Sequence, residues 1–190
     1  LPLCFGEATK FSQFLLDADK RYQATFKLGV ITDSGDADGK VLETRPVPEI
    51  SDSKLESVLE NYRGEISQIP SMFSALKVNG QPLYKLARQG IEIERKSRQV
   101  TIHELSVVER HQDEITVDVH CTKGTYVRSL AEDIGMELGC GAHVIELRRL
   151  AAGPYRVDEA VSMKQLEALA EDKAQLDAKL QPVSSAVQDW

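Results

Sequence analysis

The sequence predicts an α+β fold in which a mixed, largely antiparallel sheet is flanked by helices. Residues 22–30 and 114–121 alternate apolar with polar side chains, which is typical of strands that bury one face. Residues 51–62 and the segment after Thr125 repeat apolar residues at intervals of three and four, as amphipathic helices do. The turn-like pair Gln112-Asp113 joins two strand-like segments directly, which favours an antiparallel hairpin.

The first part of the chain predicts two helices and two strands. Residues 8–16 have helical spacing, and residues 22–30 form the first strand. Residues 32–39 contain Asp-Gly and lead to a short strand at 41–44. A calcium loop does not fit this segment, because Ser34 and Arg45 would occupy positions that need carboxylates. We therefore interpret it as a turn, after which residues 51–62 form a helix.

Residues 69–90 are the least core-like part of the chain. Pro70, Asn79-Gly80 and Pro82 interrupt this segment, and only Leu83, Leu86 and Ala87 indicate a short helix. We interpret it as a mobile lobe.

The second half predicts a hairpin, a helix, a strand and a further helix. The hairpin strands are residues 99–108 and 114–121. The helix that begins at Thr125 should end at Gly139, and a strand at 143–150 should precede a helix that begins at Ser162.

Size and cysteine usage favour a cytoplasmic protein with one domain or one domain carrying a lobe. The chain has 190 residues, of which 42% are hydrophobic. Its three cysteines include no closely spaced pair, which argues against a disulfide framework and a zinc site. Apolar runs are too short to span a membrane, so no membrane partner is predicted.

Charge is segregated along the chain. The net charge of −7 argues against a nucleic-acid partner on average, yet residues 70–98 carry six cations and two carboxylates. Phe73 and Tyr84 lie within this basic stretch, a pattern that suits a polyanion with bases to stack on. On charge alone, an ordinary solvated face is the simpler explanation of the same residues.

The motif search excludes several kinds of chemistry. The four histidines lack metal-ligand spacing, so no metal site is predicted. No phosphate-binding loop, dinucleotide fingerprint or nucleophile elbow occurs, and no cofactor is predicted. The remaining candidates are Tyr22, Asp36, Tyr126, Arg128 and Leu147, each of which taken singly is also explained by packing or a surface position.

Six motifs in order resemble those of the TruB family, the bacterial tRNA pseudouridine synthases that isomerise the T-loop uridine. They extend to about residue 155 and are Gly6-Glu7-Ala8-Thr9-Lys10, Asp17-x-Asp19-Lys20-x-Tyr22, Asp36-x-Asp38-Gly39, Pro70-Ser71-Met72-Phe73-Ser74-Ala75-Leu76-Lys77, Lys123-Gly124-Thr125-Tyr126-Val127-Arg128-Ser129-Leu130 and His143-x-x-x-Leu147-Arg148-Arg149.

The resemblance implies a pseudouridine synthase fold, a T-arm stem-loop of tRNA as partner, and a monomer. It implies that Tyr22 stacks on the flipped uracil and that Arg128 pairs with Asp36 and with a catalytic Asp. Tyr126 and Leu147 should shape the pocket. The remaining substrate-binding residues implied by the motifs are Lys10, Lys77 and Arg149.

The resemblance also predicts how the chain is divided. Residues 1–170 should be the catalytic domain, with residues 69–98 as an RNA-gripping insertion and residues 171–190 as a linker toward an RNA-binding domain. The family's nucleophile lies in Gly-x-Leu-Asp-Pro-Leu-Ala-Thr-Gly, which does not occur in this sequence. We therefore expect an internal fragment that does not turn over alone.

Two other functions remain open at this point. A non-catalytic RNA-binding module would use the basic lobe and Tyr126 without chemistry. A structural or protein-partner domain would use the acidic tail and would show no salt-dependent RNA affinity.

Overall fold

The computed structural model describes residues 1–187. Its helices are α1 (Ser12–Asp17), α2 (Asp52–Glu60), α3 (Leu83–Ala87), α4 (Val127–Glu137), α5 (Met163–Ala168) and α6 (Lys173–Asp177), with 3-10 helices at Gly6–Phe11 and Val183–Val187. Its strands are β1 (Lys20–Leu28), β2 (Val30–Thr32), β3 (Val41–Thr44), β4 (Gly64–Gln68), β5 (Lys77–Val78), β6 (Gln81–Pro82), β7 (Arg98–His111), β8 (Glu114–Cys121), β9 (Ala142–Ala152) and β10 (Tyr155–Arg156). These elements confirm the predicted α+β class.

The chain divides into two compact units. The larger unit comprises residues 22–148, and the smaller one combines residues 1–21 with the chain from Arg149 onward. The main sheet has the strand order β10-β9-β1-β8-β7-β4. The pairs β4–β7, β7–β8 and β9–β10 are antiparallel, which agrees with the largely antiparallel prediction.

The core of the larger unit explains why the predicted alternation and helical spacing hold. The inward side chains of β8 are fully buried, and they meet Leu55, Val58 and Leu59 of α2 in one cluster with Leu130 and Ile134 of α4. Burial of this kind supplies most of a domain's stabilisation. It also fixes α4 against the sheet, which determines where the side chains at the start of α4 lie.

The first predicted strand is interrupted where the sequence alone shows only a glycine. β1 ends at Leu28 and β2 begins at Val30, because Gly29 adopts a φ of +81°. A Cβ at Gly29 would lie 2.8 Å from the carbonyl oxygen of Arg45, so the close approach requires glycine. The segment predicted as residues 22–30 is therefore two strands, and β2 pairs with β3 in a separate hairpin.

Other elements match their predictions with small differences at their ends. The side chain of Ser51 caps α2 by accepting a hydrogen bond from the Lys54 N–H. The hairpin turns at Gln112, which has a φ of +53°. The helix predicted for residues 8–16 is divided into a 3-10 turn and α1.

The smaller unit has its own contacts. β10 pairs with the end of β9, and the Tyr155 hydroxyl lies 2.7 Å from the Ser185 hydroxyl. A capping box at Ser162 and Gln165 starts α5 where the sequence predicts a helix. Within the predicted linker, α6 and the last 3-10 helix form two further short turns of structure.

Candidate functional site

An ion pair between Arg128 and Asp36 is the centre of the candidate site. Arg128 donates from Nη1 to Asp36 Oδ2 at 2.7 Å, and the two side chains are only 22% and 30% exposed. The same Nη1 donates to the Ser34 carbonyl at 3.1 Å, and Nη2 donates to the Phe73 carbonyl at 2.7 Å. One guanidinium therefore connects α4, the β2–β3 loop and the lobe, which is a task suited to its planar fork of donors.

The loop between β2 and β3 holds the Asp36 carboxylate from its other side. Oδ1 accepts hydrogen bonds from the Ser34 hydroxyl at 2.6 Å and from the Asp38 N–H at 3.2 Å. The backbone of this loop also pairs with β9, because Val144 N–H donates to the Gly35 carbonyl at 3.0 Å. Both carboxylate oxygens are thus occupied, and the predicted turn places Asp36 rigidly rather than leaving it as a free loop acid.

Arg128 occupies an electrostatically unfavourable position on its helix. It is the second residue of α4, whose first turn contains no acidic side chain. Cations are disfavoured at helix N-termini because the partial charge there is positive. The guanidinium is held here by Asp36 and two carbonyls, so its position reflects the site rather than helix stability.

The start of α4 is fixed by a buried glutamine on β4. Tyr126 is the N-cap residue of α4 but makes no side-chain capping bond. Gln68 lies 2% exposed, accepts from the Tyr126 N–H at 3.0 Å and donates to the Tyr126 carbonyl at 3.3 Å. Ser129 donates its hydroxyl hydrogen to the Ile69 carbonyl at 3.2 Å. These contacts explain why α4 begins at Val127 rather than at Thr125.

The first turn of the lobe faces the same helix. Its backbone supplies the Phe73 carbonyl to Arg128, and the Pro70 carbonyl accepts from Arg95 Nη1 at 3.1 Å. Arg95 also pairs with Glu92 at 3.0 Å, while its buried Nε lacks a partner among the described residues. Two guanidinium groups, those of Arg128 and Arg95, therefore hold the backbone at the beginning of the lobe.

A cavity of about 680 Å³ lies between the lobe and α4. Its lining includes four carboxylates, those of Asp33, Glu92, Glu132 and Asp133. Burial raises the pKa of Glu132 to about 7, with Asp133 adding to the rise and Arg128 and Arg95 opposing it. Because these four carboxylates face only one cation of the lining, that of Arg95, the cavity does not suit a phosphate group.

The other predicted site residues lie on different elements. Tyr22 is on β1, half-buried and packed against the core. Leu147 is on β9 and 50% exposed. Lys77 is exposed on β5, and its ammonium has no hydrogen-bond partner within residues 1–187. Lys10 and Arg149 belong to the smaller unit, where Lys10 pairs with Glu7 at 2.6 Å.

The structure adds residues that sequence reasoning missed. Gln68, Ser34 and Glu132 all contact or face the Arg128–Asp36 pair or its helix. Ser34 had a signal, because a Ser two residues before an Asp is typical of a hydrogen-bonded turn. Gln68 and Glu132 had none, since their contacts join segments that are distant in sequence.

The remaining candidate sites are explained by structural contacts. Within residues 1–187 no group of three metal-ligating side chains comes together. The rings of His103 and His120, on β7 and β8, lie with their centroids 4.9 Å apart and their planes tilted by 48°. His143 Nδ1 lies 3.0 Å from the Val30 carbonyl. No helix in the described part of the chain has the length and apolarity needed to span a bilayer.

Two protein-family models match this chain, one after the other along the sequence. The family model described as TruB family pseudouridylate synthase (N terminal domain) matches residues 1–127. The model described as tRNA pseudouridylate synthase B C-terminal domain matches residues 128–188.

Curated proteins of the same family are similar to this chain along its whole length. Proteins named tRNA pseudouridine synthase B from Ectopseudomonas mendocina, Nitrosococcus oceani and Shewanella sp. (strain MR-4) are 55%, 54% and 52% identical to this chain over its whole length. The chain spans 62% of the length of each of these relatives.

A chain in the crystal structure of a Cbf5-Nop10-Gar1 complex matches with a TM-score of 0.70 and 26% identity, over 94% of this chain and 46% of that one. A chain in a structure of an H/ACA RNP bound to a substrate RNA containing 2'-deoxyuridine has the same fold, with a TM-score of 0.65 and 24% identity, over 94% of this chain and 44% of that one. The family match covers most of the chain, and the chain belongs to the TruB family of pseudouridylate synthases.

Proposed function

We propose that this chain forms the substrate pocket of a tRNA pseudouridine synthase that acts on the T-loop uridine. The observation that carries the proposal is the Arg128–Asp36 pair, in which a guanidinium bound to one carboxylate keeps 22% of its side chain exposed. Such a group is placed to bind a second carboxylate as well. The family membership and the names of the curated relatives support the reaction.

The proposed reaction replaces the nitrogen–carbon glycosidic bond of the nucleoside with a carbon–carbon bond. The target uridine leaves the T-loop stack and enters the pocket, because its ring edge is inaccessible inside the loop. An Asp carboxylate attacks the nucleoside and the glycosidic bond between N1 and C1′ breaks. The uracil then turns, its C5 bonds to C1′, and the Asp leaves as a free carboxylate. The proton lost from C5 is balanced by the proton gained at N1. Atoms balance without any cofactor, since the product is an isomer of the substrate.

Each predicted residue has one role in this proposal. Tyr22 stacks on the uracil and handles the ribose proton, and Tyr126 and Leu147 shape the pocket. Arg128 keeps the attacking carboxylate ionised and oriented. Lys77 on the lobe, together with Lys10 and Arg149, contacts RNA phosphates, which lysine and arginine neutralise most effectively. We further propose that the protein acts as a monomer in the cytoplasm, where it meets tRNA.

Asp36 is not the attacking carboxylate in this proposal. Its Oδ2 is held by Arg128 and its Oδ1 by Ser34 and the Asp38 N–H, so neither oxygen is free to attack. The family's Gly-x-Leu-Asp-Pro-Leu-Ala-Thr-Gly motif is not in the sequence. The proposal therefore assigns the pocket to these 190 residues and the nucleophile to a segment outside them.

The first test measures binding and turnover separately. The 190-residue chain is incubated with a T-arm stem-loop RNA, and binding is followed by fluorescence anisotropy while pseudouridine is measured by mass spectrometry. We expect salt-dependent binding without pseudouridine. Pseudouridine formed by this chain alone would contradict the assignment of the nucleophile, and absence of binding would contradict the pocket itself.

The second test supplies the nucleophile. A chain in which the family motif is joined before Leu1, called the motif-extended chain below, should form pseudouridine. Its matched control carries Asn in place of the motif's Asp and should bind the same RNA without turnover. Binding without turnover by both chains would instead favour the non-catalytic RNA-binding module.

A further inference from the structure

We infer that Gln68 is a positioning residue that fixes the start of α4, and with it the placement of Tyr126 and Arg128. It acts by binding the backbone N–H and the backbone carbonyl of Tyr126, which belong to the peptide groups on either side of that residue, with the two ends of its side-chain amide. The inferred effect on catalysis rests on the proposed function, whereas the effect on Tyr126 and Arg128 does not.

The geometry of the contact is specific to an amide. The Gln68 oxygen accepts from the Tyr126 N–H at 3.0 Å, and its nitrogen donates to the Tyr126 carbonyl at 3.3 Å. Only a group with one donor and one acceptor on the same carbon satisfies both. Asn is one methylene shorter, Glu loses the donor when ionised, and Met or Leu fills the volume but satisfies neither group.

Burial of an amide at this point is costly unless both hydrogen bonds are made. Gln68 is 2% exposed at the end of β4, beside the apolar core. A buried polar group without partners is strongly unfavourable, and an apolar side chain of the same volume would fill the site more simply. The two contacts with Tyr126 therefore account for the amide.

The N-cap position of Tyr126 explains why its backbone needs the two hydrogen bonds from Gln68. Tyr126 has an extended backbone, with φ of −103° and ψ of 104°, and no side-chain cap. Its carbonyl also accepts the first helical hydrogen bond, from the Leu130 N–H at 3.1 Å. Because Gln68 fixes the peptide that immediately precedes Val127, it fixes the direction in which α4 leaves and the angle at which Arg128 reaches Asp36.

Gln68 also lies at the base of the lobe. The next residue, Ile69, accepts a hydrogen bond from Ser129, and the Phe73 carbonyl accepts one from Arg128. The base of the lobe and the first turn of α4 are thus joined by Gln68 itself and by the contacts of Ile69 and Phe73, which follow it. A change at Gln68 should therefore move the Arg128 guanidinium, although Gln68 makes no hydrogen bond with it.

The first experiment removes both hydrogen bonds while keeping the volume. In the Gln68→Met variant we expect hydrogen exchange at the Tyr126 amide to accelerate about tenfold, and the NMR signals of the Arg128 guanidinium to shift. In the motif-extended chain we expect kcat to fall about tenfold while KM changes less than about threefold. Gln181→Met, at an exposed position between α6 and the last 3-10 helix, is the control and should leave all of these unchanged.

The second experiment restores both hydrogen bonds to the Tyr126 backbone by protonating a carboxyl group at position 68. In the Gln68→Glu variant a protonated carboxyl can accept from the Tyr126 N–H and donate to its carbonyl, whereas the ionised form cannot donate. We therefore expect kcat relative to the Gln68→Met variant to rise as pH falls. Two other charged groups could also affect kcat in this pH range: Arg98, which pairs with Gln68 in the sheet, and Glu132, whose pKa is about 7. The kcat of the parent chain and of Gln68→Met is therefore measured at each pH, so that the effects of these groups can be subtracted.

The outcomes separate this inference from the proposed function. A Gln68→Met variant that loses thermal stability but keeps the Arg128 signals and kcat would overturn the positioning role. The positioning role would also be overturned if the kcat of Gln68→Glu, divided by the kcat of Gln68→Met, did not change with pH. If the motif-extended parent chain is inactive, the proposed function fails, and the Tyr126 exchange and Arg128 signals still decide the role of Gln68.

Discussion

The start of α4 and the β5–β6 hairpin of the lobe show two ways of presenting a cation. Arg128, at the start of α4, is held by one carboxylate and two carbonyls and is largely buried. Lys77, on β5, is exposed, and its ammonium forms no hydrogen bond or ion pair with another described residue. The first arrangement fixes a charge in one direction, whereas the second leaves it free to follow a partner.

The difference follows from what each region is attached to. Residues near Arg128 are fixed from three sides, by Gln68, by the Asp36 loop and by the core under Leu130. The lobe hairpin pairs only two residues on each strand. In the α3 segment that follows it, the Arg88 guanidinium lies 5.5 Å from the centre of the Tyr84 ring. Preorganised charge serves chemistry, and adaptable charge serves binding to a polyanion.

The largest expected effect at neutral pH comes from removing the partner of the fixed charge. Asp36→Ala leaves the Arg128 guanidinium largely buried without its carboxylate, which should lower the free energy of unfolding by about 2 kcal/mol. Glu43→Ala is the matched control, because Glu43 pairs with Arg45 at 2.8 Å and is 52% exposed. That change should cost less than about 1 kcal/mol. Equal costs in urea denaturation would mean that the Arg128 pair is an ordinary surface contact.

Two glycines with similar backbones test the crowding of the two regions. Gly35 has a φ of +74° and Gly80 a φ of +81°. A Cβ at Gly35 would lie 2.9 Å from Glu132 Oε1, whereas a Cβ at Gly80 would have no other described heavy atom within 4 Å. Gly35→Ala should therefore cost about 1.5 kcal/mol and Gly80→Ala about 1 kcal/mol in urea unfolding. A larger cost at Gly80 would contradict the contrast.

Glu132 provides a pH test confined to the site. Its folded-state pKa of about 7 lies above the ordinary value of 4.5, so the folded chain binds this proton more tightly than the unfolded chain. The resulting stabilisation is complete below pH 4.5 and is lost as the pH rises through 7. Glu132→Gln should remove about 2.5 kcal/mol of the decrease between pH 5 and pH 8. Identical pH profiles for the variant and the parent would show that Glu132 titrates normally.

The smallest effect on stability is expected at the exposed lysine. Lys77→Ala should change the free energy of unfolding by less than about 0.5 kcal/mol, yet weaken T-arm stem-loop binding about threefold and flatten its salt dependence. Lys54→Ala, on the exposed face of α2, is the control and should leave both unchanged. If the two variants bind RNA equally well, Lys77 has no part in binding.

Much of the fold could be predicted because its signals are local. The alternation in β8 and the spacing in α4 reflect burial against one core, and Ser51 marked the start of α2 by its capping chemistry. The pairing of Arg128 with Asp36 was predicted from the family resemblance, since spacing alone could not bring together residues 92 positions apart.

The rest could not be predicted because it depends on contacts between distant segments. Gln68 and Tyr126 are 58 positions apart and interact through a backbone peptide, which leaves no residue pattern. The break at Gly29 arises from close approach of Arg45, and the raised pKa of Glu132 arises from burial among groups on other elements. Tertiary packing creates all three effects.

The most direct test of this account is the activity of Arg128→Lys in the motif-extended chain. A lysine keeps the charge but cannot serve Asp36, the Ser34 carbonyl and the Phe73 carbonyl with a planar fork. We predict a fall in kcat of about 100-fold, with T-arm stem-loop affinity within about threefold of the parent. A variant that forms pseudouridine at the parent rate would contradict the claim that a fixed guanidinium organises the site.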